Sequence, residues 1–258
     1  MLVPHTANAG STVMLSSKAV YVDPLGNHLN SPIKPVFESP ITESNPTMSP
    51  GNGEFDSPEG YGANKVAAET ELLARGDRVT VLRASKAHGE GARPPREWAF
   101  VKRVFDGRST LLLRNGGSAV DHTSAAANIA SLVETCASVP GTRILNAADP
   151  DAPSVREISQ VVARYFGHTW EVVDLGMDAP ASIGATPWDS TAPIVLDMTA
   201  AAQLGYVPAG IYAHTVTEEL AWMSEFGKAH PDRVVEPSFT QRYLNYAEED
   251  SYLASATA

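Results

Sequence analysis

The order of elements between residues 12 and 83 constrains the fold more than any other feature of the sequence. Residues 12–17 (TVMLSS) and 78–83 (RVTVLR) are short, largely apolar runs, which are typical of buried strands. Between them, residues 61–75 consist mainly of good helix formers. A strand, a connecting helix and a second strand predict an α/β fold in which the two strands run parallel.

A long stretch without any sustained period separates the first strand from the helix. Residues 22–60 are rich in Pro, Gly, Asn and Ser, which predicts a loop. Loops of this length in compact domains tend to be functional or mobile. Beyond residue 84, helical and strand-like segments alternate as far as residue 226, and residues 227–258 form a tail of mixed polar and aromatic residues. The pattern shift near residues 84–91 predicts a subdomain boundary.

Composition excludes several classes of protein. The net charge of −11 argues against a nucleic-acid or anionic-membrane partner, because both would repel the chain. The single cysteine, Cys136, excludes an internal disulfide framework and a cysteine-built zinc site. No apolar run approaches the roughly 18 residues that span a bilayer, and the first ten residues contain no basic region typical of a secretory signal. We therefore expect a cytoplasmic protein.

The sequence lacks several common catalytic and metal-binding motifs. The seven histidines form no His-x-x-x-His pair, so no metal site is predicted. Asp121 and His122 are interpreted as a helix-start feature, in line with N-cap preferences. The sequence contains neither a Gly-x-Ser-x-Gly elbow nor a Walker loop.

Tyr61 and Lys65 are the sharpest candidates for chemistry. Residues i and i+4 lie on one face of a helix, so the phenol and the ammonium project together. A lysine cation favours the phenolate form of a tyrosine, which allows Tyr61 to act as a general acid and base. Ser17 ends a predicted buried strand, where ligands of α/β sheets bind, and its hydroxyl would hydrogen-bond the reacting oxygen. The alternatives are an ordinary surface pair for Tyr61 and Lys65, and a strand-end role for Ser17.

These residues belong to a series of ordered motifs. The run VMLSSKAVYVD, followed by YGANK and then by VTVLRASKAHGEG, resembles the extended short-chain dehydrogenase/reductase family, which includes the NAD-dependent epimerases and dehydratases. In that family a strand ends in Ser-Ser, Tyr-x-x-x-Lys follows, and a strand ending in Arg precedes a Gly-x-Gly loop. The later segments RILNAADP and LDMTAAAQLGYVP resemble its substrate-binding part, so the resemblance extends from about residue 10 to residue 226.

The resemblance implies roles for individual residues. Ser17, Tyr61 and Lys65 match the family's catalytic residues. The implied cofactor-binding residues are Tyr61, Lys65, Ala84 and Ser85. The implied or candidate substrate-binding residues are Lys86, His88, Arg93 and Arg96. The cationic groups among them suit an anionic substrate such as a nucleotide-sugar, and the alternative is a solvated charged loop.

Two departures from the family pattern stand out. The segment between Ser17 and Tyr61 is longer than the family pattern, and the excess fits the loop at 22–60, which is a candidate lid. Ala84 replaces the proline that usually follows the arginine.

A larger departure is the absence of the glycine-rich turn, which in this family binds the pyrophosphate of the dinucleotide. Neither Gly-x-x-Gly-x-x-Gly nor Gly-x-Gly-x-x-Gly occurs in the sequence. We therefore expect an α/β fold with a partial Rossmann-like parallel sheet that lacks its N-terminal strands. Residues 1–83 would form the C-terminal half of the nucleotide-binding domain, and residues 84–226 a smaller α/β substrate-binding part.

The expected activity is that of an epimerase, dehydratase or reductase that uses NAD or NADP on a nucleotide-sugar or a similar alcohol or carbonyl substrate. The cofactor is implied by the resemblance, and we expect this chain alone to bind it weakly or not at all. Family members often dimerise through the helix that carries Tyr-x-x-x-Lys, which leaves a homodimer open. The alternative function is a non-catalytic homologue that binds a partner or a metabolite without redox chemistry.

Overall fold

A computed structural model describes residues 8–75, 78–176, 179–230 and 233–256. Within these residues the chain forms seven strands and nine α-helices. The strands are β1 (Thr12–Ser17), β2 (Val79–Ala84), β3 (Lys86–His88), β4 (Thr110–Arg114), β5 (Thr123–Ala125), β6 (Arg143–Ala147) and β7 (Glu171–Leu175). The helices are α1 (Pro58–Arg75), α2 (Trp98–Phe105), α3 (Ala126–Ser138), α4 (Val155–Tyr165), α5 (Thr199–Gln203), α6 (Tyr212–Thr215), α7 (Thr217–Ala229), α8 (Pro237–Tyr243) and α9 (Tyr246–Ala256).

The chain divides into two compact units. The first comprises the described parts of Met1–Ala87, Asp121–Ala152 and Ser190–Tyr212. The second comprises the described parts of His88–Val120, Pro153–Asp189 and Ala213–Ala258. Both units combine parallel strands with helices, which confirms the predicted α/β class.

The first unit is built on a three-stranded parallel sheet in the order β1-β2-β6. Every residue of β2 is buried, as its run of β-branched and aliphatic residues predicts. The predicted strand at 12–17 coincides with β1, and the predicted strand at 78–83 is displaced from β2 by one residue at each end. A helical connection between parallel strands is confirmed by α1, which joins β1 to β2.

The loop ahead of α1 is held by local hydrogen bonds rather than by secondary structure. The Asp23 carboxylate, in a residue only 4% exposed, accepts backbone N–H groups from Leu25, Asn27 and Val36 at 2.9, 2.8 and 3.1 Å. The helix then begins at Pro58, three residues earlier than predicted. The Ser57 hydroxyl accepts the N–H of Gly60 at 2.9 Å, which satisfies one of the free donors of the first turn.

A buried polar network connects the sheet to α1. The Arg83 guanidinium pairs with the Glu69 carboxylate at 2.7 Å, and the Ser16 hydroxyl donates to the same carboxylate at 2.5 Å. Arg83 also lies over the Tyr21 ring, 4.9 Å from its centroid, and the Tyr21 hydroxyl donates to Asn146 Oδ1 at 2.7 Å. Ser16 therefore has a structural role in this network.

The second unit contains a parallel pair, β4 with β7, surrounded by helices. Its α4 begins with a capping box, in which the Ser154 and Glu157 side chains bond to each other's backbone N–H groups. The tail, predicted only as a segment of mixed polar and aromatic residues, forms α8 and α9. Buried Arg103 of α2 joins the tail to the unit, because its guanidinium contacts Glu249 at 2.5 Å and the Tyr243 carbonyl at 3.0 Å.

These units differ from the predicted boundaries at 83/84 and 226/227. Residues 121–152 and 190–212, predicted within the substrate-binding part, belong to the first unit. The physical reason is strand pairing, since β6 hydrogen-bonds to β2 and completes its sheet. The predicted tail is part of the second unit rather than a separate segment. Among the described helices, none combines the length and the apolar character that a membrane crossing requires.

Candidate active site

The carboxyl ends of the three parallel strands meet at one edge of the first sheet. Ser17 of β1 is the register partner of Ala84, and Ala84 is in turn the partner of Ala147. Two predicted site residues, Ser17 and Ala84, thus lie side by side, and Ser85 follows directly. This edge is where ligands bind in open α/β folds.

Ser17 is half-buried and starts a short 3-10 helix, Lys18–Val20. Its Oγ accepts the backbone N–H of Ala19 at 3.1 Å. Among the described residues no acceptor takes the hydroxyl proton. Ser17 can therefore donate a hydrogen bond to a substrate oxygen at the sheet edge.

Tyr61 and Lys65 lie one helical turn apart at the start of α1, as their spacing predicted. The Lys65 Nζ is 5.9 Å from the centroid of the Tyr61 ring and donates to the Leu15 carbonyl at 3.4 Å. The ring of Phe55 packs edge-on against Tyr61 with centroids 5.0 Å apart. The Tyr61 hydroxyl makes no hydrogen bond to any part of the chain that the structure describes, and the side chain is half-buried.

A glycine allows α1 to approach the strand end this closely. A Cβ at Gly62 would lie 2.7 Å from the Ala19 carbonyl oxygen and would also collide with the Met48 sulfur. The turn that carries Tyr61 therefore packs directly on the 3-10 helix that follows Ser17. Gly62 and the Lys65–Leu15 contact together bring Ser17, Tyr61 and Lys65 into one region of the first unit.

Ser85 is held firmly in the same region. Its N–H is close to two acceptors, the Ser124 hydroxyl at 2.9 Å and the Ala147 carbonyl at 3.2 Å. Its hydroxyl donates to the His122 carbonyl. Because the hydroxyl proton is used internally, Ser85 can offer a ligand only the lone pairs of its oxygen.

Two lysines share one aspartate beside this edge. The Lys18 ammonium pairs with Asp121 Oδ1, and Lys86 pairs with Asp121 Oδ2 at 3.1 Å. The side chains of Lys18 and Asp121 are 5% exposed and that of Lys86 is 22% exposed. The cluster places two ammonium groups and one carboxylate in the chain segments next to Ser17 and Ser85. Pattern analysis missed it because its partners are distant in sequence.

His122 has a structural role in the first unit. Its Nε2 lies 2.9 and 3.1 Å from the Asp149 and Asp151 carbonyls, and its Nδ1 faces the N–H of Leu196 at 3.1 Å. These partners assign the proton to Nε2, and burial lowers the pKa of the ring.

The interpretation of Asp121 and His122 as a helix start is wrong, because α3 begins at Ala126. Asp149 takes the role of a cap there: its Oδ1 accepts the N–H of Ala125 at 2.6 Å. This carboxylate follows β6 and could not be assigned to the helix from local sequence.

The remaining candidate substrate residues lie in the second unit. His88 is 3% exposed, whereas Arg93 is exposed and Arg96 is half-buried. Arg93 donates to the Val234 carbonyl at 3.0 Å and lines a cavity of about 530 Å³. Arg242 and Tyr243 of α8 line the same cavity, so the tail contributes a second guanidinium to it. Sequence reasoning assigned no role to these tail residues.

Comparisons with known proteins define the fold. No protein-family model and no curated protein matches the sequence. Among solved structures, UDP-N-acetylglucosamine 4-epimerase from Methanobrevibacter ruminantium, in complex with UDP-N-acetylmuramic acid, matches with a TM-score of 0.60 and 16% identity over 84% of this chain and 64% of that chain. The Bordetella bronchiseptica enzyme WbmG, in complex with NAD and UDP, matches with a TM-score of 0.60 and 22% identity over 86% of this chain and 61% of that chain.

A third match is UDP-glucose 4-epimerase from Thermus thermophilus in complex with NAD, with a TM-score of 0.57 and 17% identity over 82% of this chain and 63% of that chain. The chain thus spans less than two thirds of the length of these three structures. At these identities the likeness concerns the fold. The predicted resemblance to extended short-chain dehydrogenases/reductases is confirmed at the level of the fold: the chain has an α/β fold similar to those of the two UDP-sugar 4-epimerases and of WbmG.

Proposed function

We propose that this chain provides the proton-transfer and substrate-binding residues of an NAD(P)-dependent oxidoreductase of the epimerase, dehydratase or reductase kind. The observation that carries the proposal is the position of the Lys65 ammonium. It lies 5.9 Å from the centroid of the Tyr61 ring and 3.4 Å from the Leu15 carbonyl of β1, the strand that ends at Ser17. These contacts support the proposal that the acid/base candidate, its cationic partner and the hydroxyl donor act together near the carboxyl end of β1.

Each residue has a distinct part in the proposed chemistry. Ser17 donates its hydroxyl proton in a hydrogen bond to the reacting oxygen and orients it. Tyr61 takes the proton from a substrate hydroxyl during oxidation, or returns a proton to a carbonyl oxygen during reduction. Lys65 stabilises the phenolate that exists between these steps, because an ammonium one turn away interacts favourably with the anion. The cofactor, when bound, supplies the acceptor or donor of hydride.

Ala84 and Lys65 are the proposed contacts for the nicotinamide end of the cofactor. Ala84, the buried register partner of Ser17, leaves the sheet edge without a bulky side chain. The ammonium of Lys65 is the proposed contact for a ribose hydroxyl of the cofactor. The sequence holds no glycine-rich pyrophosphate turn. We therefore expect calorimetric titration with NAD or NADP to show weak binding or none, and micromolar affinity would contradict this expectation.

Positive charge supports an anionic substrate such as a nucleotide-sugar. In the first unit, the ammonium groups of Lys18 and Lys86 lie beside the sheet edge, where both pair with Asp121. In the second unit, Arg93 and Arg242 line one cavity, and guanidinium groups bind phosphate oxygens in a bidentate manner. Lys86, Arg93 and Arg96 remain the proposed substrate contacts. The substrate contact of His88 stays a prediction, and only 3% of this residue is exposed.

The second candidate function is a homologue that binds a nucleotide-sugar or a partner without redox chemistry. The observation that favours it is the absence from this sequence of the glycine-rich turn. A homodimer through α1 and a cytoplasmic location stay predictions. Sedimentation velocity tests the former.

A binding and turnover assay tests the two candidates. UDP-sugars are titrated into the chain calorimetrically, and turnover is then followed with excess NAD or NADP by nicotinamide absorbance and by chromatography of the sugars. Turnover that is lost in Tyr61→Phe supports the oxidoreductase. UDP-sugar binding without turnover in a large excess of cofactor supports the second candidate. Turnover that persists in Tyr61→Phe contradicts the proposed acid/base.

A further inference from the structure

Three potential metal ligands converge in the second unit. His88 ends β3, Glu97 immediately precedes α2, and Glu219 lies in the first turn of α7. Each offers one donor atom, and these atoms all lie within 4.8 Å of one another. The residues are 3%, 1% and 0% exposed, respectively. Such a constellation of one imidazole and two carboxylates is buried deeply enough to differ from an ordinary acidic surface patch.

The Glu219 carboxylate is incompletely satisfied. Its Oε2 accepts the backbone N–H of Gly89 at 2.7 Å. Its Oε1 is fully buried and accepts no hydrogen bond from an N–H or hydroxyl group of the described residues, and a hydrogen bond with Glu97 requires a proton shared between the two carboxyl groups. A buried polar atom without a partner is unfavourable, and a bound ion is one of the ways in which proteins compensate it.

The electrostatics of the pair make a cation favourable. Glu97 and Glu219 place two carboxylates within 4.8 Å of each other in a buried part of the second unit. Two carboxylates held this close in a dry environment need either a shared proton or a positive ion between them. A divalent cation balances both carboxylates at once and leaves His88 neutral, the form in which imidazole binds metals.

We propose that His88, Glu97 and Glu219 bind a divalent transition-metal ion, with Zn²⁺ as the best fit. Zinc accepts imidazole nitrogen and carboxylate oxygen together, whereas Mg²⁺ and Ca²⁺ favour all-oxygen sites. The N–H of Gly89 would serve as an outer partner that orients the Glu219 carboxylate. The ion would join the start of α7 to the segment that leads from β3 into α2, and would therefore stabilise the unit.

No sequence motif indicated this site, because its ligands are not at motif spacing. The absence of His-x-x-x-His pairs predicted no metal, and His88 was a candidate substrate residue. The proposal reassigns His88 to metal binding. It does not depend on the oxidoreductase proposal, since its test uses no turnover measurement.

Metal titration of the whole chain tests the site. Protein treated with a chelator and dialysed is titrated with Zn²⁺ in competition with a chromophoric chelator, and Co²⁺ is used in parallel because its visible spectrum reports coordination geometry. We expect one equivalent to bind, the melting temperature to rise with Zn²⁺, and Glu219→Gln to weaken binding by roughly 100-fold or more, at or beyond the upper range for removing an outer partner.

Glu249→Gln is the matched control. Glu249 is also a buried carboxylate of the second unit, but it pairs with Arg103, so its substitution should leave the Zn²⁺ affinity unchanged. If Glu219→Gln fails to fold, Glu97→Gln replaces it. Failure of the wild-type chain to bind stoichiometric Zn²⁺ would overturn the proposal, as would equal affinities in the Glu219 and Glu249 variants. A shared proton would then explain the cluster.

Discussion

The Lys65 ammonium donates a hydrogen bond to the Leu15 carbonyl, which ties α1 to the strand that it follows. The same ammonium lies 5.9 Å from the centroid of the Tyr61 ring, so one side chain contacts both β1 and the helical turn that carries the phenol. The position of Lys65 has two consequences. Its side chain links α1 to β1, and its positive charge lies near the Tyr61 ring. The proposed acid/base chemistry depends on both.

Tyr61→Phe removes the proton carrier and leaves the aromatic ring. We expect turnover to fall by about 10²–10⁴-fold, the usual contribution of a general acid or base. The melting temperature should stay close to that of the wild type, because the Tyr61 hydroxyl has no hydrogen-bond partner among the described residues. Steady-state kinetics with the substrate identified by the turnover assay measures the effect.

Tyr165→Phe provides the control, since Tyr165 is 42% exposed and lies in α4 of the second unit. Its substitution should leave turnover unchanged. Equal losses in the two variants would show that the assay reports general damage rather than a role for the Tyr61 hydroxyl.

The candidate site was predictable from sequence only where it is local. Tyr61 and Lys65 lie one helical turn apart, so helix geometry alone brings them together, and Ser17 ends a strand whose apolar run was visible. The Lys18–Asp121–Lys86 cluster was not predictable, because its ion pairs depend on how distant segments pack. The same holds for the cluster of His88, Glu97 and Glu219.

The same distinction between local sequence and distant contacts applies to the prediction of the fold. The strands of the first sheet followed from their β-branched and aliphatic runs. The tail helices did not follow from periodicity, because α9 has no clear apolar face and is secured by specific ion pairs, Arg103 with Glu249 and Arg108 with Asp250. Tertiary contacts of this kind override local propensity.

Asp121→Asn should destabilise the first unit strongly. It leaves two lysines close together without their shared anion, and Lys18 is almost fully buried. Breaking a buried ion pair by removing one partner typically costs about 3–5 kcal/mol. Urea denaturation followed by circular dichroism measures the free energy of unfolding.

Asp174→Asn is the comparison for that measurement. It breaks the Arg156–Asp174 pair, whose aspartate side chain is 61% exposed, and should cost about 1 kcal/mol or less. If Asp121→Asn proved as mild as Asp174→Asn, the Lys18–Asp121–Lys86 cluster would have no role in stability.

Gly62→Ala should separate α1 from the strand end. The added methyl group would lie 2.7 Å from the Ala19 carbonyl oxygen, so the helix or the 3-10 helix after Ser17 must shift. We expect a loss of about 1–3 kcal/mol in stability, as is usual for overpacking, together with reduced turnover. Thermal denaturation and kinetics of the same preparation measure both effects.

Gly10→Ala is the matched substitution, because a Cβ at Gly10 meets nothing within 4 Å. Its stability and turnover should match those of the wild type. Wild-type behaviour of Gly62→Ala would argue against a close approach of α1 to the strand end.

Tyr21 should make stability depend on pH in the alkaline range. Burial raises the pKa of Tyr21 from 10.0 to about 12. The unfolded chain therefore ionises at this side chain first, so the contribution of Tyr21 to stability is complete below pH 10 and is lost as the pH rises from 10 towards 12. In Tyr21→Phe this part of the pH dependence is absent, although the variant is less stable near neutrality because Asn146 loses the hydrogen bond from the Tyr21 hydroxyl. Urea denaturation of the wild type and of Tyr21→Phe at several pH values between about 8 and 11.5 measures this effect. The difference in their free energies of unfolding should narrow as the pH rises. A constant difference would contradict the raised pKa of Tyr21.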